Sequence, residues 1–348
     1  MSALFPLLRS IRTLALACCA ATSLGVGAQE AASQPQQQQP RSLEQWLLRL
    51  RQMPEPPSYV GTFVVSDATG GMASARIWHV HEDGQQIERV EALTGAPRLT
   101  YRHGDSVAIF FPHKRLVRVQ ERDAHPLTLP ERLQRGDSFA LDKYYDAQPE
   151  APERVASLDA DVLLLRPRDA WRFGYRIWSE HKTGLIVKTQ TLDGRGEVLE
   201  QGSFSELQWL APAPLADVRA AMQNTQDWRV VRSERERADA QAEGWRLRQG
   251  VPGFQPLNFY RRPRSEAAAR AQWIFSDGLA TVSLFIEPAD KKPHATRGFP
   301  SHGATHALTA HVSDASGRIW RVTAVGEVPL RTLETLTQSL EHTPNNPQ

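Results

Sequence analysis

Between residues 58 and 210, apolar and polar positions alternate in short runs bounded by turn residues, the pattern of antiparallel strands with one buried face. The runs lie at 58–65, 75–81, 85–92, 98–102, 106–111 and 116–122. After a helical or irregular stretch over 127–145 they resume at 155–167, 173–180, 185–192 and 198–210. Tyr59, Phe63 and Val65 share a face of the first run, and Val107, Ile109 and Phe111 share a face of the fifth. Thr183-Gly184 and Asp193-Gly194 stand where hairpin turns are needed. Ahead of the strands the period changes to that of a helix: Leu43, Trp46, Leu47 and Leu50 fall at i, i+3, i+4 and i+7. Ser42 and Gln45 form a capping box at its start, and Pro54, Pro56 and Pro57 end it near Met53.

A meander of this kind with few helices predicts a curved sheet or unclosed barrel wrapping helical segments, not an alternating α/β fold. Ala211-Pro212-Ala213-Pro214 marks a boundary and a candidate hinge, and a stretch rich in Arg, Glu, Ala and Gln follows it. A second ordered unit begins at Trp245, with Asp277-Gly278 between two apolar strand candidates as the strongest hairpin signal of the chain. Strands at 306–313 and 318–326 meet through Ser316-Gly317, and Pro329 opens a helix with Leu330, Leu333, Leu336 and Leu340 on one side. The expected class is α+β. It comprises a signal segment (1–28), a flexible leader (29–41), an unclosed antiparallel β-barrel with helices (42–211), a linker (212–244) and a smaller C-terminal α+β domain (245–342).

Arg9 and Arg12, the apolar run from Leu14 to Ala28 and the small-residue end Val26-Gly27-Ala28 make a secretory signal peptide. At 15 residues the run is shorter than the roughly 20 apolar residues that span a bilayer. Cys18 and Cys19, the only cysteines, lie inside it. Cleavage therefore removes any disulfide, thiol nucleophile or cysteine metal site, unless one of the two is acylated as in a lipoprotein. Loss of Arg9 and Arg12 also brings the formal charge of +2 to zero, which leaves no electrostatic footprint for nucleic acid. A neutral chain with exposed apolar surface is open to self-association as a homo-oligomer.

His79 and His81 share a strand face and His302 lies near His306, but no third ligand stands at a telling spacing, so no metal is expected. Gly-x-Ser-x-Gly, Walker A, Gly-x-Gly-x-x-Gly and His-Glu-x-x-His are all missing from the sequence, and neither an enzyme nor a cofactor is expected. Apolar and aromatic residues on the strands carry the remaining signal. On a concave face Tyr59, Phe63, Ile77, Ile109, Phe111 and Val117 would surround a lipid-sized cavity, while the plainer expectation for each is an ordinary core position.

The segments Trp273–Pro288 (WIFSDGLATVSLFIEP) and 322–329 (VTAVGEVP) resemble the RseB/MucB family of periplasmic regulators of the sigma-E (AlgU-type) envelope stress response. Tyr59-Val60-Gly61-Thr62-Phe63, Tyr175-Arg176-Ile177-Trp178, Lys182-Thr183-Gly184-Leu185 and Val198-Leu199-Glu200-Gln201 extend the resemblance over most of the chain. It implies a first domain similar to the lipoprotein carriers, and a periplasmic negative regulator without chemistry of its own. Such a regulator binds the periplasmic domain of an RseA/MucA-like anti-sigma factor, shields it from site-one proteolysis, and lets go when lipopolysaccharide or lipoprotein acyl chains bind. Trp273, Phe275 and Phe285 are the expected partner-side residues, with the interdomain groove beside them. His306 and Leu308 depart from the polar and aromatic residues expected there, a departure that concerns partner specificity. The alternative from another class is a periplasmic lipoprotein or lipid carrier, for which the second domain has no evident use.

Overall fold

The computed structural model describes residues 43–52, 57–82, 84–121, 141–210, 215–232, 235–261, 271–289, 297–298 and 303–343. The expected signal segment, leader, capping serine, irregular stretch before residue 141, hinge at 211–214 and His302 lie outside these residues.

Helix α1 (Leu43–Gln52) buries Leu43, Trp46 and Leu47, as its apolar spacing requires. Strands β1 (Tyr59–Asp67), β2 (Met72–Glu82), β3 (Gln85–Ala92), β4 (Leu99–His103), β5 (Ser106–Phe111) and β6 (Leu116–Glu121) form an antiparallel meander. After the short helix α2 (Leu141–Tyr144) come β7 (Tyr145–Val155), β8 (Leu158–Pro167), β9 (Gly174–Glu180), β10 (Ile186–Leu192) and β11 (Val198–Trp209), a second meander that joins the first where β11 pairs with β1. Helix α3 (Leu215–Gln223) follows, and β12 (Arg229–Arg232) adds to β6 in parallel. Among the described residues the sheet runs β12-β6-β5-β4-β3-β2-β1-β11-β10-β9-β8-β7, with edge strands β12 and β7 not paired with each other. Bulges between Thr62 and Phe63, and between Ile186 and Lys188, kink it. The curl brings Val155, Val162 and Trp178 into one cluster with Tyr59 and Phe204.

The second sheet runs β13-β15-β16-β17-β20-β19-β18. Its strands are β13 (Glu236–Ala238), β15 (Gln255–Arg261), β16 (Ala271–Ser276), β17 (Thr281–Pro288), β18 (Arg297–Gly298), β19 (His306–Ser313) and β20 (Ile319–Gly326). A two-stranded ribbon pairs β14 (Trp245–Leu247) with β21 (Leu340–His342), and helix α4 (Leu330–Ser339) buries Leu333 and Leu336 in the same core. The stretch 212–244, expected as a linker, thus carries α3 and β12 of the first sheet and β13 of the second. Its apolar residues explain the difference: Leu215, Val218, Met222 and Trp228 all pack on the first sheet.

Hairpin β16–β17 turns at Asp277-Gly278, as its sequence predicts. Asp277 Oδ1 accepts from the amides of Leu279 at 2.9 Å and Ala280 at 2.7 Å. Gly278 has φ of 99°, a conformation that suits glycine.

Candidate functional site

Register places the candidate cavity residues. Ile77 pairs with Gly61 and Val90, Val90 with Thr100, and Thr100 with Ile109, so Ile77 and Ile109 share a face with Tyr59, Phe63 and Phe111. The row Val65–Gly202–Thr189–Ile177–Leu163 carries that face across β11, β10 and β9 to β8, where α1 covers it. Tyr59 is a core residue at 6% exposure, and Phe63 and Ile77 pack against its cluster half-buried. Ile109 and Phe111 are half-buried on the same face, with the Arg118 guanidinium 5.9 Å from the Phe111 ring centroid.

Val117 is a correction, for it stands on the opposite face. It pairs with Phe110, is fully buried, and belongs to the cluster of Tyr101, Ala108 and Phe110 beneath Val218 and Met222 of α3. The turn between β5 and β6 sets this register by placing Leu116, not Val117, opposite Phe111.

The inner face also holds polar groups. Tyr59 stacks on His79 at 5.1 Å, and beyond His79 in the same row Glu88 bonds Arg102. Burial, and then the charge of His81, lowers the His79 pKa to about 4. Burial, and then Glu88, raises that of Tyr59. The face therefore has apolar ground at Phe63, Ile77, Ile109 and Phe111, crossed by a polar row in which Glu88 and Arg102 neutralise each other and edged by Arg118 opposite Ile109, a surface suited to holding a hydrocarbon chain with a polar end.

In the second domain Trp273 and Phe275 correct a further expectation. Alternation turns both inward, where they pack with Phe259, Leu284 and Ala324 in the core that α4 lines, at 7% and 1% exposure. Phe285 faces the other way, half-buried beside Gln272 and Thr323. Of the three, it alone lies on the outer face of the sheet.

His342 and Asp314 form a pair, Nδ1 to Oδ2 at 3.0 Å, beside the rings of Trp245 and Trp320. The other Asp314 oxygen accepts from Ser316 Oγ and from the amides of Ser316 and Arg318. With its acceptors used this way, the carboxylate ties β21 and the β19–β20 turn together.

The sequence pointed to a groove between the domains, but the residues that build their junction were not legible in it. Its socket is the β8–β9 loop. The Trp171 carbonyl accepts from Thr332 Oγ1 at 2.6 Å, and the Phe173 ring lies 5.9 Å from that of His306. Between them Arg172 Nη1 donates to Asp277 Oδ2 at 2.6 Å, and both side chains are fully buried. Tyr145 donates its hydroxyl to the same oxygen at 3.1 Å. Burial works against the Arg172 charge, but the hydrogen bond to Asp169 and the charge of Asp277 outweigh it and raise the pKa. Two residues beyond Asp277, Leu279 is fully buried in the first domain's cluster, with Leu43, Trp46 and Leu47 of α1 and Leu163, Leu165, Tyr175 and Ile177 of the sheet. One sequence signal pointed here: an apolar residue at a hairpin tip, where solvent favours a polar one.

An open, curled antiparallel sheet with an apolar inner face, joined to a smaller α+β domain at a junction that buries a hairpin tip, defines a two-domain binding protein. The chain belongs to the MucB/RseB family: residues 42–223 match the MucB/RseB N-terminal domain and residues 239–341 the MucB/RseB C-terminal domain. It is 31% identical over 301 residues to the Sigma factor AlgU regulatory protein MucB of Pseudomonas aeruginosa, which covers 85% of this chain and 89% of that one. To the Sigma-E factor regulatory protein RseB of Escherichia coli K12 it is 23% identical over 287 residues, 78% of this chain and 82% of the relative. The crystal structure of MucB in complex with MucA(peri) superposes with a TM-score of 0.65 at 28% identity, covering 87% of this chain and 99% of that one.

Proposed function

We propose that this protein is a periplasmic negative regulator of an envelope stress response. It binds the periplasmic part of a membrane-spanning anti-sigma factor and shields it from site-one proteolysis. Lipopolysaccharide or lipoprotein acyl chains release it by entering the first domain. The observation that carries this reading is the similarity, through both domains, to a MucB chain crystallised with MucA(peri). The regulatory proteins MucB and RseB among its relatives support it, as does the secretory signal read at residues 1–28. The half-buried inner face with Ile109 and Phe111 supports the lipid arm. Phe285 remains as the partner-side candidate of the second domain.

The same inner face would serve a lipid carrier, but the second domain, locked to the first through Asp277, gives a carrier nothing. Binding of the mature chain, residues 29–348, to the periplasmic segment of an anti-sigma factor, with and without lipopolysaccharide fragments, tests the reading. Saturable binding that the fragments weaken is the expected result. Binding of lipid without any binding of the segment would overturn the regulator in favour of the carrier.

A further inference from the structure

We infer that Leu279 is a built-in competitor for the acyl chain: the hairpin tip of the second domain fills the space beneath α1 that a lipid tail takes, so lipid entry expels the tip and unlocks the domains. This deepens the function proposed above and rests on its placing of lipid in the first domain.

Three observations carry it. Leu279 is fully buried, and among the described residues those clustered around it belong to the other domain, on helices α1 and α2 and strands β7 to β10, with none from its own sheet. The face it covers, with Leu163 and Ile177, is continuous by register with the face of Phe63, Ile109 and Phe111. A hydrocarbon chain that follows this floor toward α1 meets the Leu279 side chain, an aliphatic group of its own chemistry.

The third observation links occupancy to domain arrangement. Asp277 Oδ1 holds the amides of Leu279 and Ala280, while its Oδ2 holds Arg172 and Tyr145 of the first domain. One carboxylate thus shapes the tip and anchors it. Leu279 cannot withdraw without pulling Asp277 from Arg172, and two fully buried charges that lose each other do not stay buried. The junction is therefore two-state, with the tip seated and the domains locked, or the tip expelled and the domains free. Coupling of this kind is reciprocal: whatever factor lipid exerts on the lock, loosening the lock exerts on lipid affinity.

The experiment uses the mature chain and cis-parinaric acid, a fluorescent fatty acid, as the acyl probe. Hydrogen exchange at the Leu279 and Ala280 amides is followed as the probe saturates the wild-type protein. Exchange at these two amides is expected to accelerate at least about tenfold, a typical size for coupling between sites. Leu279→Ala, which vacates the space, is expected to bind the probe about tenfold more tightly, with its fold checked by circular dichroism. Asp277→Asn, which keeps the turn and weakens the anchor, is expected to shift affinity the same way. Saturable binding with unchanged exchange in the wild type, or equal affinity in folded variants, would overturn the competitor and leave lipid binding by the first domain standing. Absence of binding in all three proteins would overturn both.

Discussion

The Phe63 ring lies directly over Gly202 of the neighbouring strand, and Phe204 covers Gly61 in return. A Cβ at Gly202 would stand 2.7 Å from two ring carbons of Phe63, and one at Gly61 would meet the Phe204 ring and the Glu206 carbonyl at the same distance. The two rings also meet edge to face at 5.1 Å. Close approach of ring and backbone is what these glycines allow at the β1–β11 seam that joins the two meanders. Gly202→Ala is expected to destabilise the protein by about 1–3 kcal/mol, the usual effect of forcing a methyl into a packed core. Urea unfolding of the mature chain measures it, and an unchanged midpoint would mean the ring has another place to go.

Phe111 is the sharper probe of the lipid face. Phe63→Asp also removes a ring from the seam, so its loss of function would mix with loss of stability. Phe111 is half-buried on the same face and lies outside the described core clusters. Phe111→Asp is expected to abolish release of the anti-sigma segment by lipopolysaccharide fragments while leaving binding of the segment intact. Unchanged release in a fluorescence displacement assay would remove this face from the lipid path.

The junction gives a prediction about stability alone. Arg172→Met strands Asp277, whose side chain is fully buried, which is expected to cost about 3–5 kcal/mol. Adding Asp277→Asn removes the stranded charge and keeps an oxygen for the turn amides. The double variant is then expected to recover most of the loss, read from urea midpoints of the single and double variants. A double variant as unstable as Arg172→Met would show that Asp169 and the Pro252 carbonyl, the other partners of Arg172, carry the weight.

Much of the fold was legible because strand period and turn chemistry are local. The Asp277-Gly278 hairpin and the α1 face are instances. Faces were harder. Phe110 and Phe111 are both apolar, so alternation leaves β6 ambiguous, and only the turn at 112–115 decides that Val117 pairs with Phe110. Trp273 and Phe275 declare a shared strand face, but which side is inside depends on α4, far along the chain. Arg172 and Asp277 are 105 residues apart, and no local pattern announces a charge pair that tertiary packing alone assembles.

Glu200 and Gly303 form a second contact between the domains. The Ala304 amide donates to Glu200 Oε2 at 3.4 Å, Gly303 has φ of 58°, and a Cβ there would collide with that oxygen. Burial, and then the charge of Glu327, raises the Glu200 pKa. A carboxyl whose folded pKa is raised contributes stability while protonated and loses it as pH climbs out of the ordinary carboxylate range. Glu200→Gln is expected to flatten that loss between acid and neutral pH, whereas Gly303→Ala destabilises at every pH. Thermal melts across pH distinguish the two, and a wild-type profile matching that of Glu200→Gln would mean that Glu200 is solvated.

His79 makes the opposite prediction. It lies against Tyr59 with the rings 14° from parallel, its neighbour His81 adds positive charge, and the carboxylate of Glu88 across the strand is bonded to Arg102. The imidazole is thereby held neutral, with a pKa of about 4 against an ordinary 6.5. Between those two values the unfolded chain binds a proton that the folded chain does not, so stability is complete above the unfolded pKa and falls as pH drops toward the folded one. At about pH 5 the loss from this group is about 2 kcal/mol. His79→Phe keeps an aromatic ring against Tyr59 and removes the titration, so its stability is expected to change less between about pH 7.5 and about pH 5 than that of the wild type. Equal losses in urea unfolding at the two pH values would show that the folded protein protonates His79 freely, and that the polar strip on the inner face is open to water.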